Sequence, residues 1–512
     1  PPIFLGMAKP VILDGESLSI EQIVAVSRQA ADVSIAPDAA ARARDSRSVI
    51  EEAVANGAVI YGVNTGFGKL ANVKISDEQL EELQRNLIRS HVVGLGEPLP
   101  VDIVRGIMLL RANVLLKPTS GARPVIAQNL ADMLNRGIHP VVPEQGSVGA
   151  CGDLAPLAHV ALAMMGEGEV EVGEPAKGAG RNLLPARDAL GAAGLEPTTF
   201  QAKEGLSFIN GTQAQTGILA LLVHDARNLW RSSIAAAATS LEALRGTPVA
   251  FDERIQESRP HRGQTAAAKL LRELLADSEI RRSHEHDDPR VQDAYSLRCT
   301  PQILGSVSDA IEFAASVADV ELNSSTDNPL VFDHEVLSGG NFHGQPVALA
   351  LDVLAIALTT LAGVSERRVE CLVNPDLSQG LPAFLTHNPG VQSGFMMVQV
   401  SAASIVAECR TLCVPASVQS IPTDANQEDF VPMGMAAAWK ARRIMVNAQR
   451  VVACELVCAA QGIEFLKPLR PGRGAGAVYE KVRSMVPAYV ADRPHTPDIE
   501  MIAAMLAREA II

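Results

Sequence analysis

The pattern of hydrophobic and polar positions predicts long helices throughout the second half of the chain. Residues 212–244 contain no proline and a single glycine, so the whole stretch is able to form one helix. Further long helices are predicted at residues 301–320, 346–372, 391–412 and 432–460. Helices of this length bury several faces when they pack against one another or against other subunits, which is typical of a helical bundle.

The first part of the chain predicts shorter elements. Apolar positions at helical spacing predict helices at residues 19–28, 40–56, 76–91, 101–116 and 125–136, with a capping box at residues 76–79. The apolar run at residues 58–62 predicts a β-strand, and the Gly-, Pro- and charge-rich residues 169–205 predict a surface excursion. We therefore predict a mainly α-helical protein with an N-terminal domain over residues 7–205 and a long-helix bundle over residues 206–512.

The composition is that of a globular protein, with 47% apolar residues, 20% charged residues and a net charge of −14. This acidic balance argues against a nucleic-acid groove or an anionic membrane surface as a partner, because both attract basic patches. The seven cysteines are too scattered for a disulfide framework and lack the paired spacing of a zinc site, so we expect no metal. Neither a signal peptide nor a membrane-spanning helix is predicted, which makes the cytoplasm the expected location.

The most informative stretch is Gly-Ser-Val-Gly-Ala-Cys-Gly-Asp at residues 146–153, followed by an apolar segment. Three glycines in seven residues predict a loop with tight turns. Asp153 stands where an N-cap or first-turn carboxylate belongs, so a helix is predicted to start beside it. The local pattern alone indicates a loop and a capped helix, and the lack of a Gly-Lys-Ser/Thr ending argues against a phosphate-binding loop.

Residues 146–159 also resemble, position by position, the signature of the family of histidine, phenylalanine and tyrosine ammonia-lyases, with Cys151 in place of the family's serine. In that family an Ala-Ser-Gly segment cyclises by itself into an electrophilic 4-methylidene-imidazol-5-one (MIO) ring. The resemblance implies that Ala150, Cys151 and Gly152 form this ring as the only cofactor, and that Asp153 assists the cyclisation. Cys151 would then lose hydrogen sulfide where serine loses water.

Further polar segments resemble motifs of the same family in the same order, so the resemblance extends over nearly the whole chain. They lie at residues 61–68, 210–213, 292–299, 338–344 and 421–429. The resemblance implies the MIO ammonia-lyase fold, in which a smaller N-terminal domain carries the MIO loop beside a central bundle of long helices. It also implies a homotetramer whose active sites combine loops from three subunits.

The resemblance assigns roles to the polar side chains of these motifs. Tyr61 is the expected catalytic base or proton relay, which requires its phenol pKa to be lowered by its surroundings. Arg298 is expected to bind the substrate carboxylate through a bidentate fork. The three-residue spacing of Gln292, Tyr295 and Arg298 predicts one face of a helical turn. The other expected contacts are Asn210, Gln292 and Tyr295, which orient the carboxylate, the amine and the ring oxygen, and Phe342, which packs against the ring.

Two side chains indicate the substrate. His91 and Glu428 are able to hydrogen-bond both nitrogens of an imidazole, whereas a phenyl ring would leave these polar groups unpaired. Both positions resemble the histidine branch of the family, which implies elimination of ammonia from L-histidine to give trans-urocanate. Phe430 and Pro432 depart from that branch, and His91 also stands at a helix end, where histidine commonly serves as a cap.

Three alternatives follow from the same residues. The first is a tyrosine or phenylalanine ammonia-lyase, or an aminomutase, of the same family. The second is a catalytically impaired form in which Cys151 does not cyclise. The third is a hydrolase with Cys151 as nucleophile and His159 as base, but two helical turns separate these residues by about 12 Å, which is too far for a nucleophile–base pair.

Overall fold

The structure is a computed structural model that describes residues 9–70, 72–173, 182–286, 288 and 290–512. The predicted start of the N-terminal domain, Met7, lies outside these residues. Helices dominate the described chain and the strands are short, so the prediction of a mainly α-helical protein is confirmed. Local signals explain where several helices begin. At Ser19, for example, a reciprocal capping box with Gln22 starts the first helix.

The described residues divide into two compact units that are each built from separate stretches of the chain. The first unit contains the described residues up to Leu221, together with Ala315–Asp352 and Pro415–Trp439. The second unit contains Leu222–Ala314, Val353–Val414 and Lys440–Ile512. The predicted boundary between residues 205 and 206 lies inside the first unit, and the division into two sequential domains stays a prediction.

A buried helix of the first unit, Val101–Leu115, packs against the neighbouring helices Ile20–Gln29 and Pro124–Asn135. In Val101–Leu115 every residue from Ile103 onward is buried, because apolar side chains occupy all of its faces and its few polar side chains find partners inside. The short helices of this unit are Ile20–Gln29, Pro37–Ala55, Leu80–His91, Val101–Leu115, Pro124–Asn135, Leu154–Met164, Ala186–Ala192 and Glu204–Ile209, with 3₁₀ turns at Gly68–Leu70, Asp77–Gln79 and Asp424–Asn426.

All strands of the described chain belong to the first unit and form small sheets at its loops. The parallel pair is Val11–Leu13 with Val33–Ile35. The antiparallel sheets are Leu95–Pro98 with Pro143–Gln145, Glu169–Val172 between Ile138–Pro140 and Leu183–Pro185, and Leu330–Phe332 with Glu335–Leu337. The strand Pro143–Gln145 leads directly into the glycine-rich loop at residue 146, so this pairing fixes where the loop begins.

The predicted long helices are confirmed, with ends that differ by a few residues. Met396–Leu412 starts later than predicted because Gly390 and Gly394 turn the backbone with positive φ angles of 100° and 55°. The long helices are Gln213–Ala243, Thr300–Glu321, Gln345–Val373, Met396–Leu412 and Gly434–Glu464. The second unit adds the helices Glu253–Glu257, Arg262–Leu274, Glu279–Arg282, Tyr295–Arg298, Arg473–Met485 and Thr496–Leu506, and the 3₁₀ turns Pro248–Phe251 and Ala383–Leu385.

Two local predictions were wrong. Residues 58–62 form a turn instead of a strand, because the side chain of Asn64 accepts from Ile60 N at 2.9 Å and donates to Ala58 O at 2.7 Å, in place of a neighbouring strand. The capping box at residues 76–79 is replaced by a 3₁₀ turn. There the Ser76 hydroxyl donates to the side-chain oxygen of Gln79.

One helix within the described residues, Gln345–Val373, is long and apolar enough to cross a membrane by length and composition alone. Of its most apolar window, 67% is buried inside the protein, as expected for a core helix. The absence of a membrane-spanning helix stays a prediction. In the same residues, no group of three or more His, Cys, Asp and Glu side chains is arranged to hold a metal ion.

Candidate active site

A cavity of about 1030 Å³ opens within the first unit beside the glycine-rich loop. Most of the side chains that the sequence motifs single out meet here, although they come from distant parts of the chain. The predicted site residues that line the cavity are Tyr61, His91, Ala150, Cys151, Asn210, Phe342 and Glu428. Gly152 and Asp153 lie behind this wall and are buried.

The loop at residues 149–152 folds back on itself. Gly152 pairs with both Gly149 and Ala150 in isolated backbone bridges, and it also pairs with Gly211. Its φ angle is +74°, and a Cβ at this position would lie 2.2 Å from Gly211 O. Only glycine therefore fits here, because the neighbouring atom is backbone and is unable to rotate away.

Asp153 precedes the helix Leu154–Met164 as predicted, but its carboxylate serves a different helix. It makes no side-chain cap to its own helix. Instead it accepts from Gln215 N at 2.9 Å, in the first turn of Gln213–Ala243, and from the Ser147 hydroxyl at 3.0 Å. Burial outweighs these donors and raises the pKa of Asp153 from its ordinary value of 3.8 to about 6.

This raised pKa makes the stability of the protein depend on pH through one carboxyl group. Between the two pKa values the folded state retains a proton that the unfolded state has released, so raising the pH lowers the free energy of unfolding. Relative to an Asp153→Asn variant, we expect the protein to lose about 1 kcal/mol between about pH 5 and pH 7, and up to about 3 kcal/mol over the whole range. Denaturant unfolding of both proteins at several pH values measures this difference, and a constant difference would contradict the assignment.

Cys151 contacts two of the other predicted residues. Its thiol donates to Glu428 Oε1 at 2.8 Å, and its carbonyl oxygen accepts from Asn210 Nδ2 at 2.7 Å. Burial and the neighbouring Glu428 raise the pKa of the thiol. His159 is engaged elsewhere, since its Nε2 accepts from Gly94 N at 3.2 Å. A protonated thiol that faces a carboxylate is a poor nucleophile, which argues against the cysteine-hydrolase alternative.

The environment of Tyr61 is the reverse of the expected one. Its hydroxyl oxygen accepts from Gly68 N at 3.3 Å, which is the one contact that favours the phenolate. Burial raises the pKa of Tyr61 and outweighs this donor, and the charges of Asp424 and Glu428 act in the same direction. The expected lowering of this pKa is therefore absent in the unit, because the hydroxyl is buried and the charged side chains around it are acidic.

His91 and Glu428 are each anchored by local contacts. His91 is the last residue of the helix Leu80–His91, and its Nδ1 lies 2.8 Å from Leu87 O, so the ring caps the helix through Nδ1–H and leaves Nε2 for another partner. Glu428 accepts from the Thr423 hydroxyl and from Cys151. The helix-cap interpretation and the binding interpretation of His91 are thus compatible.

The loop that carries Glu428 contains residues that sequence reasoning missed. Asp424, Ala425 and Asn426 all adopt left-handed backbone conformations, with φ between 46° and 64°, and this turn brings Asp424 as well as Glu428 to the cavity. Phe430 also lines the cavity, and its ring stacks on His343 at 6.4 Å. The polar composition of residues 421–429 indicated a loop, but three successive non-glycine residues in this conformation have no sequence signal.

Gln292, Tyr295 and Arg298 are not among the described residues that line the cavity, and they belong to the second unit. The helix at this point covers only Tyr295–Arg298, so Gln292 lies outside the helical turn on which its spacing had placed it. The Arg298 guanidinium lies 4.6 Å from the Tyr295 ring centre, and the Tyr295 side chain is 68% exposed. Among the described residues that line the cavity there is no arginine or lysine.

Comparison with known proteins gives consistent matches over nearly the full length. The sequence model of the aromatic amino acid lyase family matches residues 18–484. A histidine ammonia-lyase from Alkaliphilus oremlandii is 50% identical over 501 residues, which cover 97% of both chains.

Solved structures of the same kind share the fold. The histidine ammonia-lyase of Trypanosoma cruzi has a TM-score of 0.89 at 42% identity and covers 98% of this chain and 94% of its own. A tyrosine aminomutase from Streptomyces globisporus has a TM-score of 0.91 at 38% identity, covering 98% of this chain and 97% of its own. The fold predicted from the sequence motifs is therefore confirmed.

Proposed function

Because the chain belongs to the aromatic amino acid lyase family, we propose that it eliminates ammonia from L-histidine to give trans-urocanate. It is a carbon–nitrogen lyase, and relatives named histidine ammonia-lyase match nearly its whole length. One observation carries the choice of substrate: His91 and Glu428 line the same cavity as Ala150 and Cys151. An imidazole side chain satisfies both polar groups, whereas a phenyl ring satisfies neither.

We infer that residues 150–152 form the MIO ring, since the loop meets the requirements of ring closure. The backbone of Ala150 pairs directly with that of Gly152, and Gly152 has no side chain to obstruct its amide nitrogen. The Cys151 carbonyl oxygen, which becomes the ring oxygen, already accepts a hydrogen bond from Asn210. When formed, the ring supplies an electrophilic carbon that captures the substrate amine and makes it a better leaving group.

The remaining cavity residues bind the substrate and move its proton. When the substrate ring carries both N–H groups, Glu428 accepts a hydrogen bond from one of them, and His91 Nε2, whose Nδ1–H binds Leu87 O, accepts from the other. Phe342 lines the cavity, and we expect its ring to pack against the electrophile. Tyr61 takes the β-proton, and its hydroxyl is held towards the cavity by Gly68 N.

We propose a homotetramer in which neighbouring copies complete each active site. The substrate carries a carboxylate, yet the described cavity residues include Asp424, Glu428 and Asp429 and no arginine or lysine. A cation must therefore come from elsewhere, and Arg298 beside the exposed Tyr295 is a suitable donor from a second copy. Light scattering of the purified chain measures the assembly.

We also place this enzyme in the cytoplasm, with a small amino acid as its partner and without nucleic acid or membrane. None of the seven cysteines forms a disulfide, which is the state that a reducing compartment maintains. The acidic net charge of −14 is unfavourable for binding phosphates.

A tyrosine-directed activity is the second candidate, because Phe430 adds an exposed aromatic ring to the cavity wall and one of the matching structures is a tyrosine aminomutase. Incubation of the purified protein with L-histidine, L-tyrosine and L-phenylalanine distinguishes the two. We expect urocanate from histidine. Absence of urocanate, together with turnover of tyrosine or phenylalanine, would overturn the proposal.

The same assay applied to Glu428→Gln tests the role of the carboxylate. Loss of a hydrogen bond to a charged group costs about 1.5–3 kcal/mol, so we expect kcat/KM for histidine to fall about 10- to 100-fold. Glu408→Gln is the matched control, because Glu408 is a carboxylate of the second unit that pairs with Arg443 at 2.8 Å. An equal effect of both variants would contradict the assignment.

A further inference from the structure

We propose that Arg111 is a positioning residue for the electrophile, because it holds the turn at residues 210–213 against residues 150–153. The inference rests on the proposed function, since it concerns the formation and alignment of the ring that this function uses. Neither the sequence motifs nor the lining of the cavity marks Arg111, which lies on the buried helix Val101–Leu115.

Arg111 binds the turn at two points. One terminal nitrogen of its guanidinium donates to Asn210 O at 3.0 Å and to Gln213 Oε1 at 2.7 Å. The side chain is fully buried, and it lies so close to Gly211 that a Cβ there would be 2.6 Å from the guanidinium. The backbone path of the turn is therefore set by the position of this one side chain.

The turn at residues 210–213 contacts each of the three residues that follow Ala150. Asn210 Nδ2 donates to Cys151 O at 2.7 Å, Gly211 pairs with Gly152, and Gly211 O accepts from Asp153 N at 2.7 Å. A shift of the turn would move all three partners together. Arg111 thus acts on the loop through the turn and without touching it.

The positive charge of Arg111 also favours the alignment of the loop at residues 150–153. Burial lowers the pKa of Arg111 to about 10, so the guanidinium stays protonated at neutral pH. Its Nε and its second terminal nitrogen have no hydrogen-bond partner among the described residues. The neighbouring carboxylate Asp327 is already paired with Lys203 at 2.9 Å. The buried positive charge therefore favours electron density on the Asn210 side of the loop, where the Cys151 carbonyl oxygen lies.

Ring closure needs this alignment. The Gly152 amide nitrogen bonds to the Ala150 carbonyl carbon, and the Ala150 oxygen leaves as water with the amide protons of Gly152 and Cys151. Cys151 then gives up its Cα proton and its thiol as hydrogen sulfide. Because the turn that Arg111 holds pairs with Gly152 and binds the Cys151 carbonyl oxygen, a displaced turn slows the reaction.

The test compares Arg111→Met and Arg111→Lys with Arg105→Met and Arg105→Lys. Arg105 is the matched control: it is buried on the same helix and its pKa is also lowered to about 10, but it binds Val26 O and His139 instead of the turn. Intact mass of the denatured proteins measures the fraction that has lost one water and one hydrogen sulfide. Kinetics with histidine give kcat and KM separately, and circular dichroism checks folding.

We expect the Arg111 variants to contain less cyclised chain than the Arg105 variants, and their kcat to fall about 10-fold or more with little change in KM. Arg111→Lys keeps the positive charge, so this variant tests the positioning role if Arg111→Met does not fold. Complete mass loss and unchanged kcat in folded Arg111→Lys would overturn the inference while leaving the proposed function intact. A parent protein with no mass loss would overturn both.

Discussion

Replacement of Cys151 by alanine is expected to leave residues 150–152 as an ordinary peptide and to lower kcat/KM for histidine by about 10⁴-fold, the scale on which loss of a covalent catalytic group acts. Alanine has no β-substituent to eliminate, so the methylidene carbon is unable to form. The amine of the substrate then has no electrophile to attack. The rate of urocanate production and the intact mass of the variant measure the two consequences independently.

Cys151→Ser is the control for this experiment. Serine retains a leaving group, so the variant is expected to lose two waters in place of one water and one hydrogen sulfide, and to keep its activity. Trapping of released sulfide from the parent chain identifies the origin of its mass loss. Full activity in Cys151→Ala would contradict the ring-based mechanism, and an unmodified mass in the active parent would contradict it equally.

Replacement of Tyr61 by phenylalanine is expected to lower kcat/KM by about 10³-fold, within the range that a positioned acid–base group contributes. The hydroxyl lies in the cavity beside Gly68 N, and phenylalanine keeps the ring without the group that exchanges protons. Because the substitution is nearly isosteric, folding and cavity shape should be preserved. Initial rates with histidine measure the loss.

The raised pKa of Tyr61 adds a dependence on pH to this prediction. Its reactive phenolate form is a small fraction at neutral pH, and that fraction grows about tenfold per pH unit below the pKa. The ratio of kcat/KM between the parent and Tyr61→Phe should therefore rise between about pH 7 and pH 9. Taking the ratio cancels the ionisation of the substrate. A constant ratio would instead assign Tyr61 to a hydrogen-bonding role as a neutral phenol.

The distribution of charge around the cavity connects these predictions with assembly. A single chain surrounds Tyr61 with Asp424 and Glu428, which disfavour the phenolate. A guanidinium supplied by a second copy would bind the substrate carboxylate and would also lower the pKa of Tyr61. One chain provides neither a cation for the substrate carboxylate nor a lowered pKa for Tyr61. A guanidinium from a second copy would provide both.

The sequence by itself determined the features that depend on neighbouring residues. The long helices, such as Gln213–Ala243 and Gly434–Glu464, follow from proline-free apolar stretches, and they formed within a few residues of their predicted ends. The motif at residues 146–153 predicted the electrophile segment through its resemblance to a family signature, and its glycines and its leaving group are the residue types that ring closure requires. His91 and Glu428 were likewise predicted from residue type and local context, and both line the cavity.

Tertiary structure alone decided which distant groups meet and how each is charged. Asp153 was expected to cap its own helix, yet it caps Gln213–Ala243, because that helix end lies closer to its carboxylate in the folded chain. Burial beside other acids raises the pKa of Tyr61, and packing alone makes Arg111 the anchor of the turn at residues 210–213. Side-chain identity and spacing are local properties, whereas desolvation and long-range contacts arise only when the chain has folded.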